Sequence, residues 1–154
     1  ANGGRSVNPY GIYKIVDSAG NLLYQRDDSA DGLGVFDSRP ISELDSMLRA
    51  VVREGTGTAA QMPYNPAGKT GTTEDFHDAW FIGYTDHYVA AVWLGNDDNS
   101  PMKHVAGGSY PTRIWHDVML AAEEHGGSPS TPQDSVPPHR DGLQNLFRHI
   151  FTFN

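Results

Sequence analysis

The chain has no cysteine among its 154 residues, which removes a disulfide framework, a thiolate nucleophile and a zinc-thiolate site together. It is also short of positive charge: 11 lysines and arginines against 19 aspartates and glutamates leave a formal net charge of -8. Nucleic-acid phosphates and anionic membrane surfaces both need a basic face, so neither is an expected partner. No run of about 18 apolar residues occurs, and no basic start precedes a short apolar segment, so neither a spanning helix nor a signal peptide is expected within these residues. The seven histidines lack H-E-x-x-H or clustered ligand spacing, and no metal or other cofactor is expected. "DDNSPM" at 97–102 begins like a calcium loop but places Met102 where an EF-hand needs glycine.

What is present suits one domain or part of one, with 38% of residues hydrophobic. The opening "ANGGRSVNPYG" reads as the interior of something longer. Apolar residues 12–16 and 22–24 flank "DSAGN", whose residues favour a turn, so a β-hairpin is expected there, followed by a polar, glycine-rich loop over 25–40. Leu44, Met47, Leu48, Val51 and Val52 recur at helical spacing behind Ser42 as N-cap, and Gly55 stands where a helix stops, which predicts a helix over 42–54.

Three strands are expected next, at 67–73, 78–85 and 87–94. The "TDH" between the last two is too short for a crossover, so they should pair antiparallel, and their nearly continuous apolarity predicts burial on both faces. Ser109 as cap and Pro111 in the first turn open a second helix, whose stripe of Ile114, Trp115, Val118, Met119 and Ala122 ends at His125 and Gly126. The pattern predicts an α+β fold in which an antiparallel sheet is flanked by helices. Residues 127–142, rich in Pro, Ser and Gly, predict a disordered linker between the body at 1–126 and a flexible tail at 143–154 with an apolar stripe.

The chemistry concentrates in "AGKTGTT" at 67–73. A phosphate-cradling loop would need glycine five residues before Gly68, but Pro63 is there and Pro66 lies inside the loop, so the required nest of N–H donors cannot form. On a strand instead, Thr70 and Thr72 share one face and Lys69 and Gly71 the other. Two hydroxyls on one face can grip a carboxylate, and Gly71 allows close approach. As an isolated match the box would be ordinary strand-end chemistry, with Lys69 a surface lysine.

The box does not stand alone. With "ANGGRSVNPYGI", "SMLRAVVREGTGTAA", "DAWFIGYT", "VAAVWLGNDDNSPM" and "GGSYPTRIWHDVM" in order around it, residues 1 to about 125 resemble the C-terminal half of the D,D-transpeptidase domain of class A penicillin-binding proteins. The resemblance implies a partial penicillin-binding and β-lactamase-like fold. It implies that Lys69, Thr70, Gly71, Thr72 and Thr73 bind substrate, the terminal D-Ala-D-Ala of a stem peptide or a β-lactam. It also implies catalytic roles for Lys69, near a second signature box, and for Thr72, whose backbone N–H serves an oxyanion hole.

By the same resemblance the chain is part of a periplasmic domain anchored at the inner membrane, and it is no stand-alone enzyme. The family's nucleophile lies in an S-x-x-K box that precedes S-x-N and KTG. Ser100-Pro101-Met102-Lys103 and Ser6-Val7-Asn8 match those patterns, but the first is out of order in a turn and the second falls in the "ANGG" connection. Both are read as coincidental. A non-catalytic interaction module of a cell-wall synthase is the alternative, and self-association through an uncovered sheet face is expected of the fragment.

Overall fold

The computed structural model describes residues 2–29 and 31–126, which form two compact units divided between Leu44 and Asp45. The linker expected at 127–142 and the tail expected at 143–154 lie outside the described residues.

In the first unit β1 (Lys14–Val16) pairs antiparallel with β2 (Leu22–Gln25). The turn forms because the Asp17 carboxylate accepts bonds from the Asn21 side chain (2.7 Å) and from the N–H groups of Asn21 (2.8 Å) and Ala19 (2.9 Å), while Gly20 takes a φ of 86° that favours glycine. Those bonds, the Asn21 side chain first, hold the Asp17 carboxyl below its ordinary pKa. The polar stretch after β2 is organised by Arg26, which pairs with Asp28 and Asp31, donates to the Asn8 carbonyl at 2.9 Å and lies 4.1 Å above the Tyr10 ring.

Helix α1 (Ser38–Glu54) starts four residues before the expected Ser42. Pro40 falls within its first turn, where the missing N–H has no intrahelical partner to lose, so the helix extends through the proline to Ser38 and Ser42 is internal. Its end is as expected: the N–H groups of Gly55 and Gly57 both reach the Val51 carbonyl, at 3.1 and 3.0 Å.

The second unit holds β3 (Ala67–Thr72), β4 (Asp78–Tyr84) and β5 (Val89–Gly95), all antiparallel in the order β3-β4-β5, and α2 (Tyr110–His125). Ser109 occupies the N-cap position of α2, but its hydroxyl donates to the Ala106 carbonyl at 2.6 Å instead of capping the helix. Val52, Ala60, Phe81, Trp115 and Met119 make the core on one face of the sheet. Trp115 meets Phe81 edge-on at 5.1 Å and donates its indole N–H to the Ala90 carbonyl at 3.1 Å.

Burial on both faces does not occur among the described residues. Along β4, Ala79, Phe81 and Gly83 are buried while Trp80 and Ile82 between them are exposed. Trp80 and Trp93, paired across the strands, are 40% and 46% exposed, so neither is a core tryptophan, whereas Trp115 is fully buried. The apolar run conceals a one-sided alternation: Ala79, Phe81 and Gly83 face the core, where a Cβ added to Gly83 would lie 2.8 Å from the Trp115 ring of α2, while Trp80 and Ile82 face outwards.

Asp45 on α1 ties to the end of β4. Its carboxylate accepts from the Tyr84 hydroxyl and from Arg49 Nε, both at 2.7 Å. Burial pushes the Asp45 carboxyl up, but the hydrogen bonds from Arg49 and Tyr84 outweigh it and leave the pKa below the ordinary value of 3.8. Burial and then the bond to Asp45 push the Tyr84 hydroxyl up from 10.0 to about 12. The signs are opposite. Asp45 contributes stability above the ordinary carboxyl pKa that is lost as pH falls through its depressed value, and Tyr84 contributes stability below pH 10 that is lost as pH rises towards 12. Absorbance titration should show a tyrosine ionising near pH 12 that disappears in Tyr84→Phe, with a loss of about 1 kcal/mol at neutral pH for the missing bond.

Candidate functional site

The register across β3 and β4 decides what each residue of the box presents. Thr70 pairs with Phe81 and Thr72 with Ala79, both fully buried, so the two threonines stand on the core face. Lys69 and Gly71 pair with the exposed Ile82 and Trp80 and stand on the other. The split expected from strand periodicity is therefore present.

Backbone direction follows from the same register. The Thr73 N–H donates to the Asp78 carbonyl at 3.0 Å, and an antiparallel ladder bonds alternate residues to its partner. Gly71 and Lys69 therefore turn their amides to β4, while those of Thr70 and Thr72 point away from it. In the second unit β3 is an edge of the sheet, so these outward N–H and C=O groups line an open strand edge. The Lys69 ammonium bends back to that edge and donates to the Thr70 carbonyl at 2.7 Å.

The hydroxyls are held from outside the sheet. The Thr70 hydroxyl lies 2.7 Å from that of Thr56, in the loop after α1. The Thr72 hydroxyl accepts the Gly107 N–H at 3.0 Å, and the buried Thr112 hydroxyl donates to the Gly107 carbonyl at 2.6 Å. Because the Gly107 bond occupies only a lone pair, the Thr72 proton remains available to a ligand.

Thr73 closes the strip. Its hydroxyl accepts the Asp78 N–H at 2.7 Å, and the Asp78 carboxylate accepts the Trp93 indole N–H at 2.8 Å. The turn that follows places Asp75 and Phe76 at positive φ, and the His104 side chain packs edge-on against Phe76 at 5.1 Å.

The structure thus brings Lys69, Thr70, Gly71, Thr72 and Thr73 along one strand and its turn. Thr56 and Gly107 were missed as site-building residues, since each looks like a loop residue in "EGTGTAA" and "GGSYPT". The decoy at Ser100 lies in a turn, where the Asn96 side chain donates to its hydroxyl at 3.1 Å; no helix there carries Lys103 to it.

The family model described as the penicillin binding protein transpeptidase domain matches residues 1–120. Penicillin-binding protein 4 of Bacillus subtilis is 36% identical over 123 residues, covering 79% of this chain and 19% of that protein. Penicillin-binding protein 1A of Aquifex aeolicus is 41% identical over 123 residues, covering 77% and 16%. The chain spans less than a fifth of the length of these curated relatives. Among solved structures, the D,D-transpeptidase domain of a peptidoglycan glycosyltransferase from Eggerthella lenta superposes with a TM-score of 0.65 at 27% identity, over 82% of this chain and 30% of that one. Penicillin-binding protein 1A from Haemophilus influenzae gives a TM-score of 0.67 over 89% of this chain and 26% of that one, and at 21% identity it supports the fold alone.

Proposed function

Because the chain belongs to the penicillin-binding protein transpeptidase domain family, we propose that it supplies the substrate-gripping strand of a serine-type peptidoglycan D,D-transpeptidase. The observation that carries this reading is the open edge of β3, where the outward amides of Thr70 and Thr72 stand beside two threonine hydroxyls and the Lys69 ammonium. The hydroxyls of Thr70 and Thr72 take the terminal carboxylate of a D-Ala-D-Ala stem peptide or the acid group of a β-lactam. Thr73 bounds the strip at the β3–β4 turn. The Thr72 N–H is one of two oxyanion donors, each worth about 3 kcal/mol in the transition state.

A serine contributed from outside these residues attacks the carbonyl carbon of the penultimate D-alanine. The C–N bond breaks, and the departing D-alanine amine leaves with the proton from the serine hydroxyl. An amine of a second stem peptide then displaces the serine from the acyl ester, which returns a proton to it and forms the cross-link. Lys69 favours the anionic substrate and assists proton movement. A β-lactam acylates the same serine by opening of its ring amide. The parent protein is read as anchored in the inner membrane with this part in the periplasm; among the described residues no helix is long and apolar enough to cross a membrane.

The test is covalent labelling. The full-length protein should take up one equivalent of benzylpenicillin, seen as a mass increase, whereas the 154-residue chain alone, without nucleophile or base, should show none. An adduct on Ser100 of the isolated chain would overturn the assignment of the nucleophile elsewhere. A full-length protein that stays unlabelled would overturn the function.

A further inference from the structure

Thr56 has no part in the box, yet its hydroxyl is 2.7 Å from that of Thr70. Three features fix it there. The N–H groups of Gly55 and Gly57, on either side of it, both bond the Val51 carbonyl, at 3.1 and 3.0 Å. Gly108 approaches from behind so closely that an added Cβ would lie 2.4 Å from the Thr56 carbonyl oxygen. The Thr56 side chain itself is exposed, so the hydroxyl pair is open to a ligand on the β3 edge.

Each hydroxyl offers one proton and two lone pairs. Two of them in contact use one proton between them and keep one for a ligand. Beside a carboxylate the favoured arrangement has Thr56 donating to Thr70 and Thr70 donating to the anion, since both O–H dipoles then point towards the negative charge and strengthen one another. An uncharged ligand imposes no such order.

We propose that Thr56 is a positioning and specificity residue that directs the Thr70 proton to the substrate's carboxylate and so sets the preference for an acid over its neutral ester. The inference rests on the transpeptidase reading above. Valine keeps the branched shape of threonine without the hydroxyl, and serine keeps the hydroxyl.

The experiment uses the full-length protein and compares second-order acylation rates for benzylpenicillin and its carboxylate methyl ester in wild type, Thr56→Val, Thr56→Ser and Thr70→Val. The acid-to-ester rate ratio should fall about tenfold in Thr56→Val, as expected for losing a bond in a chain that ends on a charge, and should return in Thr56→Ser. A merely structural role would slow both ligands together and leave the ratio unchanged. An unchanged ratio in Thr56→Val, or its failure to recover in Thr56→Ser, overturns the inference while a lowered ratio in Thr70→Val keeps the transpeptidase reading standing. If Thr70→Val also leaves the ratio unchanged, or wild type is not acylated, the reading falls and the inference falls with it.

Discussion

Alanine at position 107 is expected to cost about 3 kcal/mol of stability, at the upper end of what overpacking does, and to abolish penicillin labelling of the full-length protein. A Cβ there would sit 2.3 Å from the Trp80 carbonyl oxygen, 2.5 Å from that of Gly71 and 2.9 Å from the Gly71 nitrogen. These are backbone atoms of one cross-strand pair, so no side chain can swing aside to relieve the clash. Either β3 parts from β4 or the loop at 107 lifts. Lifting breaks the bond to the Thr72 hydroxyl and strands the buried Thr112 hydroxyl that donates to the Gly107 carbonyl. Urea unfolding of the full-length protein, followed by tryptophan fluorescence, measures the loss. Gly108→Ala is the comparison, because its severe contact is with the Thr56 carbonyl alone. One such contact in a loop, against three within a pair of strands, should make the cost smaller. Equal, near-zero losses for both substitutions would remove the wedge at 107 from the account of how β3 is held.

Lys69→Ala should slow penicillin acylation about 100-fold, equivalent to about 2.7 kcal/mol of transition-state stabilisation. The Lys69 side chain is exposed and its ammonium donates to the Thr70 carbonyl on the open edge. It packs no core, so stability should stay within about 0.5 kcal/mol of wild type. That separation of rate from stability distinguishes a chemical role from a structural one. Stopped-flow acylation gives the rate and the urea midpoint gives the stability; unchanged acylation would take the box out of the mechanism.

Much of the second unit was legible from local pattern. The short "TDH" could only turn one strand back on the next, and Pro111 with Gly126 bracketed α2 to within a residue. Helix α1 was cut short because Ser42 has the chemistry of an N-cap and 25–40 the composition of a loop, although a proline at 40 sits in the first turn and obstructs nothing. The sheet was read as buried on both faces because apolarity was continuous; Trp80 and Ile82 are as apolar as Phe81 between them, and only the packing of α2 against one face tells them apart. Lys69 to Thr72 were legible because four adjacent residues on a strand carry their own geometry. Thr56 and Gly107 were not, since the bonds that place them on the box span 14 and 35 residues. Nothing local marks a loop threonine or a loop glycine as a contact of a distant strand.

The pairing of Thr70 with Phe81 and Thr72 with Ala79 has a consequence for insertions and deletions. In a strand of L-residues the face taken by a side chain and the edge taken by its own amide are coupled, so the two hydroxyls and the two outward N–H groups cannot be varied separately. Slipping β3 by one residue against β4 would present Lys69 and Gly71 to the core face and turn the amides of Thr70 and Thr72 into the ladder at the same stroke. A change of one residue in the length of the 73–77 connection is therefore tolerable only where the turn absorbs it as a bulge. The positive-φ residues Asp75 and Phe76 lie in the stretch where such a bulge would have to form.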